Sequence, residues 1–236
     1  MPAPVKLILL PGFATDRRML AGQLAAFGEA LTPAWIEPVR GESLGDYARR
    51  WGERIAADYQ LPGSTPVVIV GISMGGMLAQ EMAEAVGAAG VVLVSSCRNA
   101  RPIPWFQGWF GRMVSRLPLG AVEFLKHHLP PKAYHRLGDL APEHATLVRR
   151  MFLDTPTAML RWAPGAMVHW TGRPASSMNG VRVRHIHGDR DALLLSARVE
   201  PDQWIRGAGH AMSMTHAEEV NAFIRQCVSE IAQSNA

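Results

Sequence analysis

The chain has 236 residues, of which 48% are hydrophobic and 19% are charged, with a formal net charge of +4. This ordinary globular composition excludes a disordered chain and a collagen-like fibre. The length suits one domain, or one domain that carries an inserted lobe. The sequence lacks an uncharged apolar run of about 18 residues, so it predicts no membrane-spanning helix.

Cysteine usage and the first ten residues bear on the cellular compartment. Cys97 and Cys227 are the two cysteines, and neither belongs to a CxxC motif. A disulfide framework or a cysteine zinc site has no support, and a reducing cytoplasm is the expected location. Residues 1–10 lack a basic start and end in a short apolar run before Pro11-Gly12, which predicts a strand rather than a signal peptide.

The first 97 residues alternate between apolar runs and helical patterns. Strands are predicted at residues 5–10, 34–39, 66–70 and 91–95, of which the second is the weakest. Helices are predicted at residues 19–27, 44–59 and 74–86. Ser43 is placed to cap the second helix and Gly87 to end the third. This alternation predicts right-handed βαβ units and a parallel sheet.

The alternation stops after Cys97 and resumes near residue 176. In between, tryptophan, proline and arginine are frequent, and no convincing parallel strand is found. Strands are predicted again at 181–187 and 203–205, followed by a helix at 215–231. The sequence therefore predicts an α/β core of about six mostly parallel strands, built from residues 1–97 and 176–236. A helical cap at 98–175 interrupts this core.

The clearest chemical motif follows the strand predicted at 66–70. Residues 71–75 read Gly-Ile-Ser-Met-Gly, between an apolar strand and a helix rich in small residues. This is the context of a nucleophile elbow, in which glycines two positions before and after Ser73 remove side chains where strand and helix pack closely. The alternative is a chance match, and the strand–turn–helix context argues against it.

A serine nucleophile needs a base and a group that orients the base. His210 follows the last predicted strand, whereas the other eight histidines lie in the insertion, on a strand or at a helix start. Asp189 and Asp191 compete as the acid. Asp191 is favoured because it lies farther out on its loop, while Asp189 is expected to brace the turn or pair with Arg190. Loops after parallel strands share one edge of the sheet, so Ser73, Asp191 and His210 are predicted to converge there.

Backbone amides are expected to bind the oxyanion of acyl transfer. One is the amide of Met74, at the N-terminus of the helix after Ser73, where the helix dipole adds to the effect. The other is the amide of Phe13, in the loop after the first strand. The alternative is that Pro11-Gly12 forms an ordinary turn.

These motifs resemble those of the α/β-hydrolase fold family. The likeness lies in residues 71–75, 188–191 and 207–210, and it covers nearly the whole chain outside the insertion. It implies the α/β-hydrolase fold, a Ser-His-Asp triad and the use of neither a metal nor a cofactor. The chain departs from the family at Pro11-Gly12, where His-Gly is usual. The family's first two strands are also missing, and the helix between the last two strands is expected to be reduced.

A closer resemblance is to the carboxylesterases that cleave pimeloyl-acyl-carrier-protein methyl ester. It lies in residues 94–97, 122–125, 210–211 and His216. The resemblance implies cap arginines that bind an acidic acyl carrier protein. Between residues 101 and 175 the chain has ten Arg or Lys and four acidic residues, which is compatible with such a partner. The alternative is a solvated helical surface in an arginine-rich protein.

Aromatic residues of the insertion could line an acyl pocket or hold the cap to the core. The candidate substrate-binding residues are Phe13, Trp105, Trp109, Phe124 and Trp162. A phosphate loop, a dinucleotide motif, HExxH and an EF-hand loop are all missing. Scattered arginines alone do not make a nucleic-acid-binding module.

The sequence therefore predicts a serine hydrolase that cleaves a small-molecule carboxylic ester through an acyl-enzyme intermediate. A C–C bond hydrolase and a cofactor-free perhydrolase would use the same triad, and these alternatives stay open. A non-catalytic binding protein with this fold is a third alternative, because a fold alone does not determine function.

Overall fold

The structure is a computed structural model that describes residues 5–128, 137–138, 140–178 and 180–234. Its five strands form one parallel sheet in the order β1-β2-β3-β4-β5. They are β1 (Lys6–Leu10), β2 (Val67–Ile72), β3 (Ala88–Val94), β4 (Arg182–Gly188) and β5 (Gln203–Ile205). Every residue of β2 is buried, as expected of a parallel sheet that is covered on both faces.

Helices connect the strands and cover the sheet. They are α1 (Ala21–Ala26), α2 (Leu44–Tyr59), α3 (Met74–Met82), α4 (Trp105–Arg116), α5 (Leu119–His128), α6 (Pro142–Asp154), α7 (Thr157–His169), α8 (Met212–Thr215) and α9 (Ala217–Ser234). Ser43 caps α2 as predicted, because its hydroxyl accepts a hydrogen bond from the amide of Asp46. Among the described helices, none combines the length and apolar character needed to cross a bilayer.

Alternate residues of β2 contribute to two different cores. Val67 and Ile69 pack on the face that α2 and α3 cover. Val68 and Val70 pack on the opposite face, which α9 covers with residues such as Phe223. Successive side chains of a strand point to opposite faces, so one continuous apolar run supplies both cores.

The prediction of a strand at 34–39 is wrong, because this stretch is an extended connection outside the five-stranded sheet. Side chains satisfy its backbone where a neighbouring strand would otherwise do so. The indole N–H of Trp51 donates to the carbonyl of Ala34 at 3.0 Å. The hydroxyl of Tyr47 donates to the carbonyl of Ile36 at 3.0 Å and accepts from its amide at 3.3 Å. Pro38 also lacks the N–H that a paired strand needs.

Other boundaries differ from the sequence predictions by a turn. The helix expected at 74–86 ends at Met82, and the chain then turns through Gly87, which has a φ of 62°. The helix expected at 215–231 is α9, which begins at Ala217, and the short α8 precedes it. Between β4 and β5 the described chain forms a 3-10 turn at Ser196–Arg198, which agrees with the expected reduction of that helix.

Helices α4 to α7 lie between β3 and β4 in the chain, and α4 packs closely on α7. A Cβ at Gly111 would lie 2.9 Å from the carbonyl oxygen of Pro164. A Cβ at Gly165 would lie 2.8 Å from the Cβ of Ser115. Glycine on each helix therefore allows the two backbones to approach. Lys132 and Arg136, part of the basic set found in the sequence, lie outside the described residues.

Candidate active site

Ser73 occupies the sharp turn between β2 and α3, with φ 54° and ψ −120°. A positive φ is rare for a residue with a side chain and marks stored backbone strain. Close packing surrounds the turn, since a Cβ at Gly75 would lie 2.5 Å from the carbonyl oxygen of Pro11. The hydroxyl of Ser96, two residues after the end of β3, donates to the carbonyl of Ser73 at 2.7 Å and braces the turn. The local geometry is that of a nucleophile elbow.

The structure brings Ser73, His210 and Asp191 together, as predicted from the sheet edge. The Nε2 atom of His210 lies 2.9 Å from the Oγ atom of Ser73. The Nδ1 atom of His210 lies 2.7 Å from the Oδ2 atom of Asp191. A carboxylate only accepts hydrogen bonds, so Nδ1 carries the proton and Nε2 is free to accept one from the hydroxyl. The arrangement can therefore deprotonate a serine nucleophile.

Asp191 is held in place by a dense set of donors. Its side chain is fully buried. Its Oδ1 atom accepts from the amides of Leu193 at 2.8 Å and Leu194 at 3.0 Å. Burial alone would raise the pKa of Asp191. Electrostatic attraction to the imidazole of His210 and the hydrogen bonds from His187 and His210 outweigh burial and hold that pKa well below its ordinary value. The carboxylate therefore stays ionised.

Asp189 has the other role expected of this loop. Its Oδ1 atom accepts from the amide of Gly207 at 2.7 Å. This hydrogen bond ties the loop after β4 to the loop that carries His210. Asp189 therefore braces the two loops, while Asp191 contacts the imidazole.

A second histidine, His187, contacts Asp191, and the sequence did not predict this contact. The Nε2 atom of His187 lies 3.2 Å from Oδ2 of Asp191 and 3.1 Å from the carbonyl of Leu194. Both partners are acceptors, so Nε2 carries the proton. The Nδ1 atom of His187 then accepts from Nε2 of His185 at 3.2 Å. The spacing of four residues between His187 and Asp191 across Gly188 was the signal that could have revealed this contact.

The two amides expected to bind an oxyanion lie beside Ser73. Met74 follows Ser73 at the start of α3 and is fully buried. The loop after β1 runs close to Ser73, since a Cβ at Gly12 would lie 3.4 Å from the Cβ of Ser73. In the part of the chain that the structure describes, neither the amide of Met74 nor that of Phe13 donates a hydrogen bond. Both N–H groups are thus available to a ligand.

A cavity of about 660 Å³ opens at Ser73 and His210. Phe13 and Trp109, two of the candidate substrate-binding residues, line it. Further apolar side chains complete the walls, and the sequence analysis did not single them out as a set: Met77, Ile103, Val114, Val122, Leu137, Val148, Leu160, Met167, Leu193 and Leu194. The α/β core contributes Met77 from α3 and Leu193 and Leu194 from the loop after β4, and the inserted helices contribute most of the others. The cavity therefore lies between the core and the inserted helices.

Three predicted substrate residues lie outside this cavity. Trp105 and Phe124 are exposed at the surface of α4 and α5. Trp162 faces a separate cleft, where its indole N–H donates to the carbonyl of Glu42 at 2.7 Å. Its ring packs on Tyr47 with a centroid distance of 4.5 Å. Helical spacing placed these aromatics on faces of helices but did not reveal which face meets the cavity.

The described residues contain no cluster of three or more histidine, cysteine or acidic side chains arranged to hold a metal ion. Cys97 and Cys227 are both buried free thiols. Burial raises the pKa of the Cys97 thiol to about 12 and that of the Cys227 thiol to about 11. Neither thiol is therefore a ready nucleophile at neutral pH.

Comparisons with known proteins bear on the fold. The model of the alpha/beta hydrolase family matches residues 7–223. A search of the curated proteins finds no significant match. Among solved structures, a thermophilic esterase from Thermogutta terrifontis is 22% identical with a TM-score of 0.71, and the alignment covers 98% of this chain and 92% of that one.

Two further solved structures are similar over almost their whole length. An esterase from Exiguobacterium antarcticum is 14% identical with a TM-score of 0.67, covering 98% of this chain and 93% of that one. The N-acyl homoserine lactonase AidH, complexed with N-butanoyl homoserine, is 16% identical with a TM-score of 0.64, covering 98% and 90%. At these identities the similarity establishes the fold and not the substrate.

Proposed function

Because the chain belongs to the alpha/beta hydrolase family, we propose that it hydrolyses carboxylic esters with Ser73 as nucleophile, His210 as base and Asp191 as the orienting acid. One observation supports this more than any other. An unbroken chain of hydrogen bonds joins the hydroxyl of Ser73 to the imidazole of His210 at 2.9 Å and that imidazole to the carboxylate of Asp191 at 2.7 Å.

The first half-reaction acylates the enzyme. The Oγ atom of Ser73 attacks the ester carbonyl carbon while Nε2 of His210 takes the hydroxyl proton. The resulting tetrahedral oxyanion accepts hydrogen bonds from the amides of Met74 and Phe13. The bond to the alkoxy oxygen then breaks, and the imidazolium of His210 gives its proton to the leaving alcohol. The ionised Asp191 stabilises the imidazolium that forms in between.

The second half-reaction releases the acid. A water molecule attacks the acyl carbon while Nε2 of His210 takes one of its protons. The new oxyanion collapses, the bond to Oγ breaks, and the proton returns from His210 to Ser73. The free carboxylic acid leaves and the triad is restored. His187 acts as a positioning residue, since its N–H holds the Oδ2 atom of Asp191 in the orientation that His210 needs.

The cavity supports an apolar acyl group as the part of the substrate that is recognised. Its walls near Ser73 are hydrocarbon and aromatic side chains such as Met77, Trp109 and Leu160. Two of the similar structures are described as esterases and one as a lactonase, and a lactone is a cyclic ester. These descriptions agree with the proposal without identifying the ester.

The test is hydrolysis of p-nitrophenyl butyrate by purified protein. Ser73→Ala should reduce kcat by about a thousandfold or more, because the nucleophile is lost while the oxyanion donors remain. Ser64 is an exposed serine outside the helices and strands, so Ser64→Ala is the matched control and should keep wild-type activity. Full activity of a folded Ser73→Ala variant would contradict the proposal.

Other substrates, tested with the same purified protein, separate the alternative functions. Turnover of a vinylogous diketone with negligible ester hydrolysis would favour a C–C bond hydrolase. Peracid formation from acetate and hydrogen peroxide, faster than ester cleavage, would favour a perhydrolase. No turnover of any of these, together with a Ser73 that is inert to acylating reagents, would favour a binding protein.

A further inference from the structure

Helices α4 and α5 expose an unusual number of large apolar side chains. We call this set the aromatic face. It consists of Trp105, Phe106, Trp109, Phe110, Leu119, Phe124 and Leu125. Trp105 is 78% exposed, and Trp109 and Phe124 are each 61% exposed. Single exposed apolar residues need no explanation, but a contiguous exposed set marks a surface for interaction.

The aromatic face is continuous with the mouth of the cavity. Phe106, Trp109 and Phe110 from α4 line that cavity, as does Leu125 from α5, and the same cavity reaches Ser73. These side chains are therefore exposed on one side and in contact with the cavity on the other. An acyl chain that entered across the aromatic face could reach Ser73 without leaving apolar surroundings.

The charge around the aromatic face is strongly basic. Residues 98–128, all of which the structure describes, include five Arg or Lys and one acidic residue. That acid, Glu123, is paired with His127 at 3.0 Å and with Lys126 at 3.8 Å, and the side chain of Lys126 is only 9% exposed. The four arginines of the segment are all exposed and give it its positive charge. On α4, Arg112 and Arg116 are exposed and follow Trp105 and Trp109 at helical spacing. A surface that combines aromatic and basic side chains complements an anionic apolar layer.

We propose that the aromatic face binds the surface of an anionic lipid bilayer, and that the esters this protein cleaves are drawn from that layer. Tryptophan and phenylalanine enter the boundary between head groups and acyl chains, while arginine and lysine contact anionic head groups. A bilayer also offers acyl chains at the depth where the cavity opens. An acidic acyl carrier protein could satisfy the charges and present one acyl chain to the opening, but its charged surface offers no apolar match for Trp105 and Phe124, which lie outside the cavity and are exposed.

The delivery of substrate rests on the proposed esterase activity, whereas the binding of the surface does not. An experiment can therefore contradict the esterase activity without contradicting the binding to the bilayer, and the reverse also holds. Ser73→Ala should bind vesicles as the wild type does, although it should not hydrolyse esters.

The experiment is co-sedimentation of the whole protein with sucrose-loaded vesicles. Vesicles of phosphatidylcholine with phosphatidylglycerol should bind about tenfold more tightly than vesicles of phosphatidylcholine alone, and salt at about 0.5 M should weaken that binding because it screens the charges. The double variant Trp105→Ala with Phe124→Ala should reduce binding to the anionic vesicles about tenfold. Both residues lie outside the cavity, so turnover of p-nitrophenyl butyrate should stay within about twofold of wild type.

Val39 provides the matched control, since it is an apolar side chain 56% exposed outside the aromatic face. Val39→Ala should bind vesicles as the wild type does. Equal binding to neutral and anionic vesicles, or unchanged binding by the Trp105/Phe124 double variant, would overturn the proposal. It would also be overturned by binding of an acidic acyl carrier protein without vesicle binding. A dimer that the double variant dissociates, seen by sedimentation velocity in the absence of vesicle binding, would overturn it as well.

Discussion

His185 is a buried titratable side chain close to the triad, and it makes stability depend on pH. Burial, helped by the neighbouring His187, lowers the pKa of His185 from its ordinary 6.5 to about 3. Between these two values the unfolded chain binds a proton that the folded protein does not. The contribution of this residue to stability is therefore complete above pH 6.5 and is lost as the pH falls toward 3.

Replacing His185 should make the protein less sensitive to mild acid. When the pH is lowered from about 7.5 to about 5, the unfolding free energy of the wild type should fall by roughly 2 kcal/mol more than that of His185→Gln. The reason is that the unfolded variant has no proton to gain at this position. Urea denaturation at both pH values measures the difference. His127→Gln, which changes a side chain 56% exposed, should follow the wild type, and parallel losses in all three proteins would rule out this origin.

The elbow between β2 and α3 depends on small residues for its geometry. Gly75 lies against the loop after β1, where a Cβ would meet the carbonyl oxygens of Pro11 at 2.5 Å and Leu10 at 2.6 Å. Backbone atoms cannot move aside as a flexible side chain can. The same loop carries the amide of Phe13, so a displacement there would disturb both the stability of the elbow and the oxyanion donors.

Alanine substitutions at two glycines should have opposite effects. Gly75→Ala should lower the unfolding free energy by about 2 kcal/mol or more and reduce esterase activity, because the turn must open to admit the Cβ. Gly120 lies in α5 with nothing near its missing Cβ, so Gly120→Ala should stabilise the protein by about 0.5 kcal/mol. Thermal unfolding and p-nitrophenyl butyrate assays on both variants are the measurement. A Gly75→Ala protein as stable and active as wild type would show that the elbow tolerates a side chain.

The strands that the sequence predicted correctly are those whose own residues determine burial. The apolar runs of β1 to β3 require cover on both faces, and this requirement is local to each run. The stretch at 34–39 is only partly apolar, because it contains Glu37 and Pro38, and the distant side chains Tyr47 and Trp51 satisfy its backbone. The residues of the stretch do not indicate that side chains more than ten residues away will bind its backbone. The strand prediction failed there for this reason.

The triad residues of the candidate site could be predicted from the sequence because their positions follow from the topology of the sheet. Ser73, Asp191 and His210 each follow a strand of one parallel sheet, so chain order alone brings them to a common edge. The walls of the cavity depend on how α4, α5 and α7 are oriented over that edge. Helical spacing does not reveal this orientation. It therefore could not show that Trp109 lines the cavity whereas Trp105, one turn away, lies outside it.

The whole molecule places an apolar cavity between a rigid sheet edge and a set of inserted helices. The sheet fixes the reacting groups, since β2, β4 and the loop after β5 are held by parallel pairing and by the hydrogen bond between Asp189 and Gly207. The inserted helices provide most of the apolar walls and all of the aromatic face. Variation in these helices can therefore change which ester is bound without disturbing the triad.

The central claim is that Ser73 is a nucleophile activated by His210, and labelling with a fluorophosphonate tests it most directly. Such a reagent phosphonylates an activated serine and ignores ordinary hydroxyl groups. Peptide mass spectrometry of the wild type should show one adduct per chain, on Ser73, and His210→Gln should slow its formation by about a hundredfold or more. A folded wild-type protein that stays unlabelled, or that carries the adduct on another residue, would contradict the account.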